Sequence, residues 1–195
     1  MPNWCSNQLV LQHEDPEQIA RAVQAFKNTA LLNEFCPCPA ELRDFKPEKP
    51  GFLEQDQKDA NKAKYGFETW YEWSIAHWGV KWDVGDDEFE EFEPSGREVI
   101  LYFDSAWAPP IIGMEHLEAA GFNVTLYYWE PGMAFCGKYT TEDGDDCYEY
   151  GQITSAELAE KIPDDLDEIF NIVDQVRELE ESLENDNIET DNGSL

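Results

Sequence analysis

Basic residues are scarce in this chain. Only 13 Lys and Arg stand against 43 Asp and Glu in 195 residues, a formal net charge of −30. Such a surface repels phosphate backbones, because nonspecific nucleic-acid binding rests on Lys and Arg neutralising phosphates. Direct nucleic-acid binding is therefore not expected, whereas basic partners are attracted over a Debye length of about 8 Å at physiological salt. Long apolar runs are missing as well. No stretch approaches the roughly 18 apolar residues that span a bilayer, and the opening MPNWCSNQLVLQHEDPEQ has neither the basic nor the apolar region of a signal peptide. The expectation is a cytoplasmic protein without membrane contact. Five cysteines, an odd number without a secretion signal, read as free thiols rather than as a disulfide framework.

Signatures of chemistry are also lacking. There is no nucleophilic triad, no phosphate-binding Walker loop and no dinucleotide fingerprint. His13, His77 and His116 are too far apart for a zinc pair, and Cys36-Pro-Cys38 is too tight for a zinc knuckle and has no second pair. The stretch DCYEYGQITSAE puts Asp146, Gly151, Ile153 and Glu157 at positions one, six, eight and twelve of a calcium loop. Tyr148 and Tyr150, however, stand where oxygen ligands belong, and the segment reads as a strand. No metal and no cofactor are expected, and the balance leans away from an enzyme.

What is present is enough apolar material for a core: 42% hydrophobic and 13% aromatic residues, in a length that suits one domain with additions. Asn7 to His13 reads as a strand. Asp15 followed by Pro16 reads as an N-cap and first helical position, with Ile19, Val23 and Phe26 at helical spacing. Proline-rich and polar residues from 35 to 62 read as an excursion, then a helix from Lys62 to His77 closed by Gly79. Lys81 to Val84 and Val99 to Asp104 read as strands, the latter apolar on both faces and so central. Pro109 and Pro110 open a helix that Gly121 closes. FNVTLYYWE is a further strand, AFCGKYTT and CYEYGQI form a hairpin, and Asp164 to Asn185 is a helix with Leu166, Ile169, Val173, Val176, Leu179 and Leu183 on one face.

This order predicts an α+β chain: a ferredoxin-like split βαβ antiparallel sheet, a helical insertion after the first helix, an added hairpin and an amphipathic C-terminal helix. Residues 1–155 form the domain, 35–77 its insertion, 156–185 the acidic helix and 186–195 a mobile tail. The sheet is expected to run 4-1-3-2 with the first and third strands parallel at its centre. That order places Asp104 to Trp107 beside Lys81 to Asp83, and Trp4 and Cys5 beside Trp129 and Glu130 at the other end.

Four segments, MPNWCSN, WGVKWD, YFDSAWAPP and YYWEPGMAFCG, together resemble the YubB-type ferredoxin-like domain family of phage and plasmid proteins. The resemblance covers Met1 to Ser6 and Trp78 to Gly137. It implies the fold and a mobile-element setting, and it carries no catalytic residues. Ser105 stands where the family pattern tends to have threonine.

The polar and aromatic residues inside these segments are the candidate binding residues: Lys81, Trp82, Asp83, Asp104, Trp107 and Glu130. Lys81, Asp104 and Glu130 also suit an ion pair and a turn-setting carboxylate. An acidic run follows, with Asp86, Asp87, Glu88, Glu90, Glu91 and Glu93 as a surface for a partner or simply a solvated turn. Tyr102, Tyr127 and Trp129 could form a base-stacking platform on the sheet, against which the charge weighs. The expected function is an accessory protein that binds a basic host protein, its acidic surface standing in for nucleic acid. The alternative is a small-molecule-binding or hydrolytic domain using Lys81, Trp82, Asp104 and Trp107. A homodimer through the C-terminal helix is open as well, although its apolar stripe covers barely three heptads.

Overall fold

The structure, a computed structural model, describes residues 3–43, 53–86 and 96–192, with side chains to residue 183. The first strand, β1, spans Trp4–Gln12 and alternates strictly, burying Cys5, Asn7, Leu9 and Leu11. Helix α1, Pro16–Lys27, starts as its sequence dictates. Asp15 Oδ1 accepts from Glu17 N at 2.9 Å, Pro16 opens the first turn, and Ile19, Val23 and Phe26 face the core.

The excursion is more helical than its composition suggested. A short α2, Leu31–Phe35, and a 3₁₀ turn, Ala40–Leu42, precede α3, Gln55–Tyr65. α3 is polar but made of good helix formers, and the i,i+4 pairs Gln55–Asp59 (2.9 Å) and Gln57–Asn61 (2.8 Å) tie its turns. The single helix expected from Lys62 to His77 is divided. Gly66 turns left-handed at φ 82° and ends α3, and a separate α4 runs Trp70–Trp78. Gly79, at φ 80°, ends α4 as expected, its N–H donating to Ile75 O.

Strand β2, Glu98–Ala106, helix α5, Ile111–Ala119, and strand β3, Asn123–Glu130, follow; the hairpin is β4, Phe135–Thr140, and β5, Gly144–Glu149. The sheet order is β2-β1-β3-β4-β5, every pair antiparallel. β2 and β3 therefore run parallel to each other with β1 between them and α5 as the crossover, which is the split βαβ unit.

Three expectations about the sheet change. Lys81 to Val84 is loop, not strand, because the Asp83 carboxylate is taken by α2 N–H groups and the Val84 N–H by Asp83 instead of by a ladder. Without that strand, Val99 to Asp104 lies on an edge, and Ile100 and Tyr102 point outward exposed. The central strands run antiparallel rather than parallel, since β1 meets both neighbours head to tail.

The two faces of the sheet carry two cores. One face (Leu9, Leu11, Leu101, Val124, Leu126) packs with α1, α2, α4 and α5 around Phe26, Trp78 and Met114. The other packs Cys136, with Tyr127 and Trp129, against three C-terminal helices. These are α6, Ser155–Lys161, α7, Asp164–Phe170, and α8, Ile172–Asn192. The one helix expected over 164–185 is broken at Asn171, which turns left-handed at φ 54°, while α8 itself continues through most of the expected tail. Glu157, position twelve of the calcium-loop reading, instead closes a capping box on α6, its Oε2 accepting from Thr154 N at 2.8 Å. Among the described residues, no group of three or more His, Cys, Asp or Glu is placed to hold a metal ion. No helix among them is long and apolar enough to cross a membrane.

Candidate binding surface

The loop after α4 is built to hold one indole outward. Ser74 Oγ lies 3.0 Å from both Tyr71 O and Lys81 O, pinning the chain back on α4. Two residues on, Asp83 Oδ1 accepts from Leu32 N (2.7 Å) and Val84 N (2.9 Å), and Oδ2 accepts from Asn33 N (3.0 Å). Burial pushes this carboxyl above the usual range, with the three N–H groups opposing. Asp83 is thus a structural clasp between α2 and the loop. Trp82, between the two anchors, stays exposed.

The strands bring the other indoles to the same place. Trp4 pairs with Ala106 across β1 and β2, and Trp107 N donates to Asn3 O at 2.9 Å. Trp4 stacks on Trp82 with ring centroids 6.1 Å apart, and Trp82 on Trp107 at 6.4 Å. The three are 48%, 41% and 40% exposed. Trp107 holds this position at φ 67°, a left-handed backbone that a bulky residue seldom adopts.

Lys81 sits among these rings. Its Nζ lies 4.4 Å from the Trp82 ring, 5.5 Å from Tyr71 and 5.7 Å from Trp107. Among the described residues no carboxylate lies within 4 Å of it, so the ion pair expected of Lys81 does not form there.

Asp104 is engaged by the neighbouring strand. Its Oδ1 accepts from Ser6 Oγ at 2.9 Å, and with Asp86, Tyr102 and Phe170 it lines a cavity of about 490 Å³ at the β2 edge. Lys81, Trp82 and Trp107 of the expected cluster lie together and gain Trp4 and Tyr71, while Asp104, across from Ser6, is two pairs along the sheet from Trp4 and Ala106. The expected separation into two ends also fails. Trp4 is on the same end as Trp82, because β2 is the direct antiparallel neighbour of β1. That register was the available signal: MPNWCSN and SAWAPP become opposite termini of one hairpin-like pair.

Glu130 is buried and sets a turn, Oε1 accepting from Gly132 N at 3.0 Å and Oε2 from Met133 N at 2.5 Å. Close by, the Cys5 thiol is pushed up to about 12, first by burial and then by the charge of Glu130. Asp86 N donates to Phe26 O at 3.1 Å. Asp87, Glu88, Glu90, Glu91 and Glu93 lie outside the described residues. Of the expected base-stacking platform, Tyr127 and Trp129 are half-buried, Tyr127 OH donating to Asp165 Oδ2 at 3.0 Å and Trp129 packing on Phe170 with centroids 6.2 Å apart, while Tyr102 stays exposed on the β2 edge.

A family model described as the ferredoxin-like domain in Api92-like protein matches residues 77–175. The chain belongs to this family. The match opens at His77, where the indole-bearing loop begins, and ends inside α8, so in this Api92-like chain it takes in the signature loop, β2 to β5 and the second core. A crystal structure of a protein api92 from Yersinia pseudotuberculosis is similar over 77% of this chain and 99% of that one, at 12% identity and a TM-score of 0.43. No curated protein matches.

Proposed function

We propose that the protein catalyses no reaction and works by binding a basic protein, with the row of Trp4, Trp82 and Trp107 as its contact. The row itself carries this reading. Three large apolar rings are kept at the surface side by side, one of them on a strained backbone. Exposed clusters of Trp and Tyr are the residues that dominate protein contacts when buried by a partner, and every Å² of apolar area removed from water contributes about 25 cal/mol.

The sign of the partner is argued from charge. The net charge is −30, and the loop that carries Trp82 runs directly into DDEFEEFE, residues 86–93. In its finer form, the acidic surface occupies the nucleic-acid site of a basic host protein in the host cytoplasm, and the chain is a mobile-element product of the YubB type. The four sequence motifs and the charge support that form.

A second reading, a small-molecule site, is favoured by one observation. Lys81 faces open indoles, with no carboxylate within 4 Å among the described residues.

Capture from host lysate tests the first reading, comparing the wild type with Trp82→Ala at low and high salt. A basic protein should be retained at low salt by the wild type and released by salt or by the substitution. Recovery of no basic protein sinks the reading.

A further inference from the structure

We propose that the groove between α8 and the Tyr150–Thr154 segment docks an amphipathic helix of the partner, its apolar face inward and its Lys and Arg outward. This deepens the reading of the protein as a binder of basic proteins and rests on it.

The apolar stripe of α8 is used by the fold only in its first turns. Ile172 and Val173 are buried and Val176 is half-buried against the second core. The stripe then continues at helical spacing to Leu179 and Leu183, which are 60% and 56% exposed. These leucines form one wall of a groove of about 560 Å³; Trp129, Pro131, Tyr150 and Ile153 are on the other.

Several polar groups at the groove are already engaged. Trp129 Nε1 donates to Tyr150 OH at 2.6 Å, and Glu180 accepts from Ser155 N (2.9 Å) and Ser155 Oγ (2.7 Å). What remains on offer is apolar area. That suits a helix, whose backbone is satisfied internally and which engages through side chains at i, i+3, i+4 and i+7, better than an extended peptide seeking backbone partners.

Charge selects among helices. From residue 142 onward nineteen Asp and Glu face only Lys161 and Arg177. Arg177 is held by Asp174 at 2.5 Å, and Lys161 Nζ donates to Glu149 O at 3.1 Å. On α8, Glu178, Glu180 and Glu181 flank the leucines. A second copy of α8 would bring the same carboxylates against these, so charge opposes self-association. A helix with leucines on one face and cations on the others complements both the floor and the rim.

The probe is a fluorescent Leu/Lys amphipathic peptide of about 18 residues, above the length at which isolated helices are marginal, titrated into the full chain. Its control is the same composition scrambled to break the stripe. The striped peptide should bind and the scrambled one should not. The double substitution Leu179→Glu and Leu183→Glu should weaken binding by at least about tenfold, a loss of 1.4 kcal/mol or more. Both leucines are exposed, so the variant folds, which its helical circular dichroism checks. Because the variant is more acidic, a merely electrostatic peptide would bind it equally or more tightly, and that result overturns the proposal. A wild-type dimer in sedimentation that the leucine variant dissolves also overturns it, by giving the groove to a second copy. Host-protein capture separates the two surfaces. Capture lost in the leucine variant supports the groove. Capture retained there but lost in Trp82→Ala overturns the groove and leaves the indole row standing.

Discussion

The indole of Trp107 lies nearly parallel to that of Trp82, ring centroids 6.4 Å and planes 18° apart, on a backbone held at φ 67°. A left-handed conformation costs an ordinary residue roughly 1–2 kcal/mol. The fold holds it with Trp107 N on Asn3 O at 2.9 Å and Ser105 Oγ on Ala108 O at 2.7 Å. Strain and exposure at one residue are hard to reconcile with a purely structural role, and they agree with a contact surface. Trp107→Gly removes the ring and the strain together, so its unfolding free energy should stay within about 1 kcal/mol of the wild type. Trp107→Val keeps the strain without the ring and should be the less stable variant. Urea denaturation ranks the two; a Val variant as stable as the Gly variant would contradict strain at this site.

Asp83 makes the opposite case, a candidate binding residue whose chemistry is consumed by the fold. Three backbone N–H groups, from Leu32, Asn33 and Val84, converge on its two oxygens. Hydrogen bonds to a charged group are worth about 1.5–3 kcal/mol. Asp83→Ala should therefore destabilise by roughly 2–3 kcal/mol, and Asp83→Asn, which keeps one acceptor oxygen, by less. Thermal unfolding of the two variants checks the order. If Asp83→Ala unfolds like the wild type, the clasp is not holding α2 to the loop.

The strands and helix starts were legible in the sequence because their signals are local. The apolar run Leu9-Val10-Leu11, the Asp15-Pro16 cap and the glycine after Trp78 each act within a few residues, although the run suggested burial on both faces and the strand alternates. What was not legible depends on distant partners. Lys81 to Val84 has strand-like composition, yet Asp83 finds its donors about fifty residues back, on α2. Gly66 and Asn171 break helices whose apolar pattern runs on past them, because a left-handed residue changes direction without changing periodicity. The indole row was half visible. Trp82 and Trp107 stood out in their motifs, but adding Trp4 needed the β1–β2 register.

The second core is fastened to the sheet by Lys138 and Asp165, 2.7 Å apart, with Tyr127 OH on the same carboxylate oxygen. Burial raises the Asp165 carboxyl, but the hydrogen bonds from Lys138 and Tyr127 outweigh it and hold it below the usual range. A depressed carboxyl contributes stability that is present above its unfolded value, near 3.9, and is lost as pH falls through the folded value. The Lys138 ammonium, raised chiefly by its bond to Asp165, adds stability that disappears only at strongly alkaline pH. Both groups are partly exposed, so the pair is worth about 1 kcal/mol at most. Lys138→Met should lower stability by that amount at pH 7 and by nearly nothing at strongly acid pH, below the depressed folded value, where wild-type Asp165 is protonated. Denaturation curves at the two pH values decide it; an equal loss at both would mean the lysine acts through packing.

The five thiols are sorted by burial. Cys147 is exposed on β5, while Cys5, Cys36, Cys38 and Cys136 are buried. Burial pushes Cys5 and Cys136 up to about 12 and raises Cys36 and Cys38 as well. A thiol at 12 is ionised in about one part in ten thousand at pH 8, and only the thiolate attacks. A disulfide reagent should therefore titrate one fast equivalent in the folded protein and all five after unfolding, and Cys147→Ser should remove the fast phase. The experiment also bears on Cys36-Pro-Cys38. A pair standing open to a metal would react early, and adding zinc would slow it. If Cys147 alone accounts for the fast phase and zinc changes nothing, the pair serves the first core, where Trp78 Nε1 donates to Cys36 O at 3.0 Å.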